Sequence, residues 1–272
     1  MSDEGHGSTA IITPIYRSAL TSVEQDLVHV TGEVSAHPRF FVIPEGMDKA
    51  PLREKFPQSE IVSTDPRNLA SIHDYNYWLT SSHFYGLWSD FRWLLICQLD
   101  ALLIEDPWQL MGPRDVDWDY LGAPWSPSIR VVTQGTRILV RSPSGSDRGP
   151  FWVGFTGRRL RVGNGGLSLR RQETFFQAAR RLESLISPQT RQRTHEDVLW
   201  AAFGPRWGVR FASVDQAAQV FWESTDHVNI DPDEIPRTAG YHAVDKWPAR
   251  ARTHVIQEAC SLHNLPAIES TP

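Results

Sequence analysis

Cysteine is nearly missing from this chain: the 272 residues hold two, Cys97 and Cys260, with no metal-ligand spacing around them. That excludes a disulfide framework and points to a reducing compartment. Neither thiol stands in a sequence setting that marks a nucleophile. Long apolar runs are lacking too, since no stretch approaches the roughly 18–20 residues that a membrane span requires. The expected location is therefore the cytoplasm, with no transmembrane segment and at most a peripheral membrane contact. Positive charge is in deficit, with 27 Lys and Arg against 32 Asp and Glu for a net charge of −5. A nucleic-acid partner is excluded on that ground, because phosphate affinity needs a basic surface. Internal repeats are absent as well. What remains is a globular chain, 40% hydrophobic, long enough to bury a full core in one domain.

Two residue types are abundant in a way that bears on function. Eleven tryptophans are many for this length, and Trp88, Trp118, Trp125, Trp152, Trp207 and Trp247 sit beside polar residues. Most belong to a core; Trp125 and Trp152 are the candidates for a ligand cleft, since flat aromatic faces stack on the C–H faces of sugars. Arginine is concentrated between Arg130 and Arg171, where Arg130, Arg137, Arg141, Arg148, Arg158, Arg159, Arg161, Arg170 and Arg171 face the single acid Asp147. Such a run is either a solvated face or a local funnel for an anion.

Read along the chain, the order is alternating α/β. Ala10 to Tyr16 and Phe40 to Pro44 have the short apolar form of buried parallel strands, with a connecting helix from Ser22 to Val30. Asp65-Pro66 opens a helical hairpin that runs to Phe91. Leu94 to Cys97 reads as the next strand, broken by Gln98-Leu99-Asp100 and resumed through Ile104. Asp119 to Trp125 ends another strand, and Val131 to Phe155 forms an arginine-rich β excursion interrupted at Ser142 to Ser146. Gln172 to Ile186 is amphipathic, with Phe175, Ala179, Leu182 and Ile186 on one face. A further helix starts at Glu196, and Asp231 to Pro236 is loop.

Three features carry chemistry. Asp100 interrupts an apolar run, so its carboxylate needs a cation, a metal or several hydrogen bonds; the plain alternative is a turn cap or a buried arginine partner. The segment Gly163-Asn164-Gly165-Gly166, flanked by arginines, reads as a loop whose glycines adopt positive φ and bare their amides to an anion, or as a tight turn only. Glu196-Asp197 opens a helix and supplies a general base, unless Thr194 and Asp197 form a capping box.

The segments Leu95 to Ala101, Asp119 to Trp125, Val162 to Arg170, Glu196-Asp197-Val198 and Gly240-Tyr241-His242 stand in an order that resembles a family of mostly bacterial proteins of poorly defined function, related to GT-A glycosyltransferases. The resemblance spans roughly Ile11 to Trp247. It implies an α/β, Rossmann-like GT-A single domain with a mixed central sheet flanked by helices. The expected organisation is a disordered stretch at 1–9, the glycosyltransferase domain at 10–250, and a C-terminal helix and tail at 251–272. It also implies transfer of a sugar from a nucleotide-sugar donor to a carbohydrate or glycoconjugate acceptor, with Mn2+ or Mg2+ as cofactor. In such enzymes an Asp-x-Asp motif binds donor and metal, and here Gln98-Leu99-Asp100 keeps only the second acid. Asp100 and His242 become the metal ligands; Gln98, Asn164, Gly165, Gly166, Arg170 and Trp125 join Asp100 around the donor. Asp197 becomes the base, with Glu196 as the next candidate, and such a base implies inversion. The competing readings are a non-catalytic nucleotide-sugar or glycan-binding protein on the same scaffold and, with less support, a nucleotidyltransferase.

Overall fold

The apolar runs at the start of the chain become the middle of a sheet. In the computed structural model, which describes residues 8–112, 116–134, 137–141, 158–224 and 226–268, Thr9–Pro14 forms β1 and is buried at every position. That is the mark of a strand covered on both faces. The strand begins inside the stretch expected to be disordered at 1–9, of which 1–7 lie outside the described residues. Helix α1 (Ser22–Val34) follows, started by a capping box in which Thr21 Oγ1 accepts from Glu24 N–H and Glu24 Oε2 accepts from Thr21 N–H at 2.8 Å. The chain returns through β2 (Arg39–Pro44), α2 (Ala50–Lys55) and β3 (Glu60–Thr64), and these three strands run parallel. The expected helical hairpin is there in short pieces: a 3-10 turn capped by Asp65, then α3 (Ile72–Leu79) and α4 (Ser82–Gly86). Ser71 and Ser81 each accept from a backbone amide and start a new helix, which is why the hairpin is segmented.

Beyond this point the strand β4 (Trp93–Cys97) pairs with the other side of β1. The run Leu94 to Ile104 is not one interrupted strand. Its second half, β5 (Leu102–Leu103), belongs to a different sheet, because Gln98 to Ala101 turn the chain away. After α5 (Pro107–Met111) and β6 (Tyr120–Gly122), the arginine-rich excursion forms its own antiparallel sheet from β7 (Pro124–Gln134), β8 (Arg137–Arg141) and β9 (Arg158–Val162). Its expected break at Ser142 to Ser146, with Trp152 and Arg148, lies outside the described residues. Next, β10 (Leu167–Arg171) inserts antiparallel between β4 and β6 and completes a mixed six-stranded sheet of order β3-β2-β1-β4-β10-β6.

The helices α6 (Gln172–Leu185), α7 (Pro188–Arg193), α8 (Glu196–Phe203) and α9 (Val214–Val220) follow. They lead to β11 (Phe221–Trp222) and β12 (Gly240–Tyr241), which join β5 in a three-stranded sheet. The 3-10 turn Pro232–Glu234 lies in the expected loop. Last comes α10 (Ala249–Leu262), which packs on α1 and buries Ala251, Val255, Ile256, Ala259 and Cys260. The architecture is α/β, a mixed central sheet flanked by helices. Tryptophan is largely core, as expected: Trp93, Trp108 and Trp118 cluster with ring centroids 5.2–6.2 Å apart, and Trp78, Trp88, Trp200 and Trp247 are buried. Both cysteines are buried, and burial pushes the Cys97 thiol up to about 12, so it does not ionise near neutrality. Among the described residues no helix is long and apolar enough to cross a membrane.

Candidate active site

Strand order reverses between β1 and β4, and in open α/β sheets such a reversal leaves a crevice at the carboxyl ends of the strands. A cavity of about 440 Å³ occupies that crevice, with Pro14 and Tyr16 on the β1 side, Gln98 and Asp100 on the β4 side, and Ser71 and Tyr75 from the start of α3. Tyr16 is 54% exposed at its rim.

The small sheet explains how a charged cluster forms beside this cleft. Asp100 precedes β5, Glu223 follows β11 and His242 follows β12; β12 runs parallel to β11 and antiparallel to β5, so all three residues emerge at the same end. His242 Nδ1 lies 3.2 Å from Glu223 Oε1 and Nε2 lies 3.4 Å from Asp100 Oδ1. Burial alone would strip the imidazole of its proton, but the carboxylates of Asp100 and Glu223 outweigh burial and push it up to about 10. Both carboxylates are held below their usual range, because the imidazolium overcomes their desolvation. The chain accepts strain to aim this ring. Ala243, fully buried, sits in the left-handed region at φ 57°, which costs a non-glycine residue about 1–2 kcal/mol.

A divalent cation fits here on two observations. Asp100 Oδ1 and His242 Nε2 are buried atoms 3.4 Å apart with no hydrogen-bond partner of good geometry, and an ion that displaces the Nε2 proton would find there a carboxylate oxygen and an imidazole nitrogen, a usual donor pair. Beside them the missing side chain of Gly166 leaves a cradle: a Cβ there would strike His242 Nε2 and come within 2.7 Å of Gln98 Oε1. Among the described residues no three His, Cys, Asp or Glu side chains gather as a ligand set.

The glycine-rich loop works differently from the sequence expectation. Gly163, Gly165 and Gly166 do not adopt positive φ; they are glycines because side chains press on them. Trp125 lies on Gly163, Glu196 on Gly165 and His242 on Gly166. Nor is the Gly166 amide bared to an anion: Asn164 Oδ1 accepts from Gly166 N–H at 2.9 Å and from Leu167 N–H at 3.4 Å. That fixes the Asn164 amide, whose Nδ2 donates to Glu223 Oε2 at 2.6 Å and lies 3.0 Å from His242 Nδ1. Asn164 is therefore the link between the loop and the charged cluster.

Arg170 departs furthest from its expected place. It is 0% exposed beneath the loop, donating to Glu196 Oε1 at 2.8 Å, Glu196 Oε2 at 3.2 Å, Tyr85 Oη at 3.0 Å and Gly165 O at 3.2 Å. Its donors are spent inside the protein, so it offers none to a ligand. Glu196 is bound in the same pair and is itself buried. Its neighbour Asp197 is half-buried and caps nothing through Thr194, because α8 is preceded by His195 with no side-chain cap; among the described residues Asp197 Oδ1 accepts from Val198 N–H, at 2.7 Å. Amides at a helix N-terminus favour an ionised carboxylate. Burial, then the adjacent Glu196 charge, prevail and push the Asp197 carboxyl up to about 7. Of the other arginines, Arg171 pairs with Asp119 at 2.8 Å, while the side chains of Arg130, Arg137, Arg141, Arg158 and Arg159 lie outside the described residues.

Residues 58–242 match a family model described as a protein of unknown function, DUF5672. The chain belongs to the DUF5672 family. The DUF5672 match ends on His242 and takes in Gln98, Asp100, the glycine-rich loop, Asp197 and Glu223. No curated protein matches the sequence. Among solved structures, the DUF5672 chain is similar to the galactosyltransferase LgtC in complex with donor and acceptor sugar analogues, with a TM-score of 0.53 and 12% identity over 97% of each chain. An active-site mutant of LgtC gives 0.52 and 12%, again over 97% of each. CMP:2-keto-3-deoxy-manno-octonic acid synthetase complexed with CTP gives 0.42 and 13%, over 75% of this chain and 89% of that one. At such identities the likeness to LgtC establishes the fold, that of GT-A glycosyltransferases.

Glu223, Tyr16 and Tyr75 are site residues that sequence reasoning missed. Glu223 follows a strand of two residues, too short to show a period, and only the pairing of β11 with β12 brings it to His242.

Proposed function

We propose that this DUF5672 protein is a glycosyltransferase that moves a sugar from a nucleotide-sugar donor to a hydroxyl of a carbohydrate or glycoconjugate acceptor, with inversion. One observation carries the reading: the crevice at the β1/β4 reversal ends at the Asp100–His242 pair, so a nucleotide lying in it would carry its diphosphate to the charged cluster. Asp100 and His242 would hold Mn2+ or Mg2+, with Glu223 and Asn164 fixing the ring from behind. When bound, the ion neutralises charge developing on the departing diphosphate. Gly165 and Gly166 keep the loop thin beside the reacting groups, and Trp125, half-buried against Gly163, offers a face to a sugar.

Asp197 is the base in this reading. A carboxyl raised to about 7 is matched to taking a proton at neutral pH. The acceptor oxygen loses its proton to Asp197 and bonds to the anomeric carbon, while the pair of the broken carbon–oxygen bond leaves with the diphosphate. The Glu196 charge acts by raising the proton affinity of its neighbour, and the Arg170 guanidinium paired with it offsets part of that effect. The test is a nucleotide-sugar panel read by thermal shift with and without Mn2+, followed by donor hydrolysis. One donor should raise the melting temperature and be hydrolysed slowly, because a ligand of the native state stabilises it. Stabilisation without any turnover, with or without glycan acceptors, would replace the enzyme by a non-catalytic sugar-binding protein; no stabilisation by any donor would remove both.

A further inference from the structure

The arginines between Arg130 and Arg161 are sorted by the register of their antiparallel sheet. Across β8, β7 and β9 the pairings Arg141 with Arg130 and Arg130 with Arg159 put three arginine positions level with one another in adjacent strands. Residues two apart along a strand share a face, so Arg137 and Arg161 belong to the face of that row. The opposite face carries Ile129, Val131, Val140, Leu160 and Val162, with Arg158 as its one charge. Burial tells which face is which: Leu160 and Val162 are 3% and 6% exposed, while Arg161 between them is exposed. Arg130, Arg137, Arg141, Arg159 and Arg161 are thus positions of the outer face, and the three strands contain no Asp or Glu.

Such a row works against stability. Like charges directly opposite one another on a sheet repel, and neighbouring strands lie roughly 5 Å apart, inside the screening length of about 8 Å in physiological salt. In a chain of net charge −5 the face is a segregated patch of positive charge. Its place in the fold says what it meets. The sheet is rooted at the candidate site, because Pro124 pairs with Val162 and the residues that follow them, Trp125 and Gly163, lie against each other at the head of the glycine-rich loop. Arg161 is one residue from that root, and Arg159 is three residues or roughly 10 Å along the strand. The strand that β7 continues, β6, stands two places beyond β4, so the sheet borders the loop from the side of β6 rather than from the β1/β4 cleft assigned to the donor.

Resting on the transferase reading, we infer that the acceptor is an acidic glycan, and that the outer face of β7, β8 and β9 binds it through carboxylates or phosphates carried on successive sugars. A guanidinium meets either group with two parallel N–H donors. Charges repeated along a chain satisfy a row of arginines, whereas a single small anion leaves most of the row unmatched. Trp125, at the root of the sheet, takes the sugar nearest the loop.

The experiment compares wild type with two triple variants. One combines Arg130→Gln, Arg141→Gln and Arg159→Gln; the other combines Arg180→Gln, Arg181→Gln and Arg193→Gln, which removes the same charge from exposed positions of α6 and α7. Affinities for polygalacturonate, phosphomannan and neutral dextran are measured at low and physiological salt, beside oligouridylate and vesicles of phosphatidylcholine with phosphatidylglycerol. Wild type should bind one of the two acidic polysaccharides, more weakly as salt rises, and should not bind dextran. The first triple should lose about tenfold or more in that affinity and the second should stay within about twofold of wild type. Without polymer the first triple should melt at or above wild type, since repulsion within the row is relieved. A lower melting temperature would show that these arginines are paired within the protein, and would overturn the inference. So would equal losses in the two triples, which would reduce the binding to net charge, and so would tighter binding of oligouridylate or vesicles than of either polysaccharide. Stabilisation by a donor in the thermal-shift panel with no binding of an acidic polysaccharide would overturn the acidic acceptor alone and leave the transferase reading standing. Binding of an acidic polysaccharide with no stabilisation by any donor would overturn the transferase reading and, with it, the role of the face as an acceptor site.

Discussion

Asp197 is a carboxylate whose surroundings oppose its charge, and this gives it a signature separable from activity. An unfolded aspartate titrates near 3.8, the folded one at about 7. Between these values the folded state holds a proton that the unfolded state has lost, so the contribution of Asp197 to stability falls as pH rises through that window and is level above it. The expected result is that Asp197→Asn melts at or above wild type at pH 8, and that the difference between them shrinks toward pH 4. If Asp197 is the base, the same variant loses about two or more orders of magnitude in turnover, measured per folded molecule. Retained turnover would take the role of base from it. Arg170 and Glu196 are the contrasting case, a buried pair rather than ligand contacts. Arg170→Met leaves Glu196 buried and unpaired and should cost about 3–5 kcal/mol in denaturant unfolding, while the double variant Arg170→Met, Glu196→Leu should recover much of that loss. A single variant near wild-type stability would show that Arg170 is not structural.

At the scale of elements, the long and periodic pieces were legible: β1, β2, α1 and α6 stand where apolar period and caps put them. What escaped was made by pairing. The run through Ile104 read as one strand, broken and resumed, because hydrophobicity says nothing about which sheet a strand joins; Gln98 to Ala101 send β5 to β12 instead. Asp100 and His242 were readable as chemistry-bearing residues, but Glu223 had no local signal. The glycines of the loop were expected to adopt positive φ for an anion; in the structure they are glycines because the protein's own side chains press on them. This yields a paired prediction. Gly166→Ala puts a methyl group against the pinned His242 ring and Gln98 Oε1, and should abolish Mn2+ binding as well as cost about 1–3 kcal/mol by overpacking. Gly165→Ala puts it against the buried Glu196 carboxylate and should cost a similar amount, about 1–3 kcal/mol, while leaving Mn2+ binding in place. Equal effects of the two on Mn2+ binding would mean that the cradle has no special standing.

The whole molecule ties the cleft to its last helix. Glu24, in the capping box of α1, lines the cavity, and α1 rests on α10. A domain limit at 250 would cut α10 from its first turn, although the buried face of that helix belongs to the main core. Its apolar residues cover α1, where burial raises the Asp26 carboxyl above its usual range and the charge of Arg252 from α10 offsets a small part of that rise. A chain ended at Pro248 should therefore expose the α1 side of the core, bind a hydrophobic dye and lose cooperative unfolding. The milder change Ile256→Ala, at a site 1% exposed, should cost about 2–5 kcal/mol and lower the denaturation midpoint without changing the fold. If α1 is held in place by α10, nucleotide affinity in Ile256→Ala stays at the wild-type level as long as the protein is folded, and falls only in the truncated chain. A truncated protein that unfolds cooperatively at the wild-type midpoint would make α10 an appendage, and the cleft would then stand on the central sheet and α1 alone.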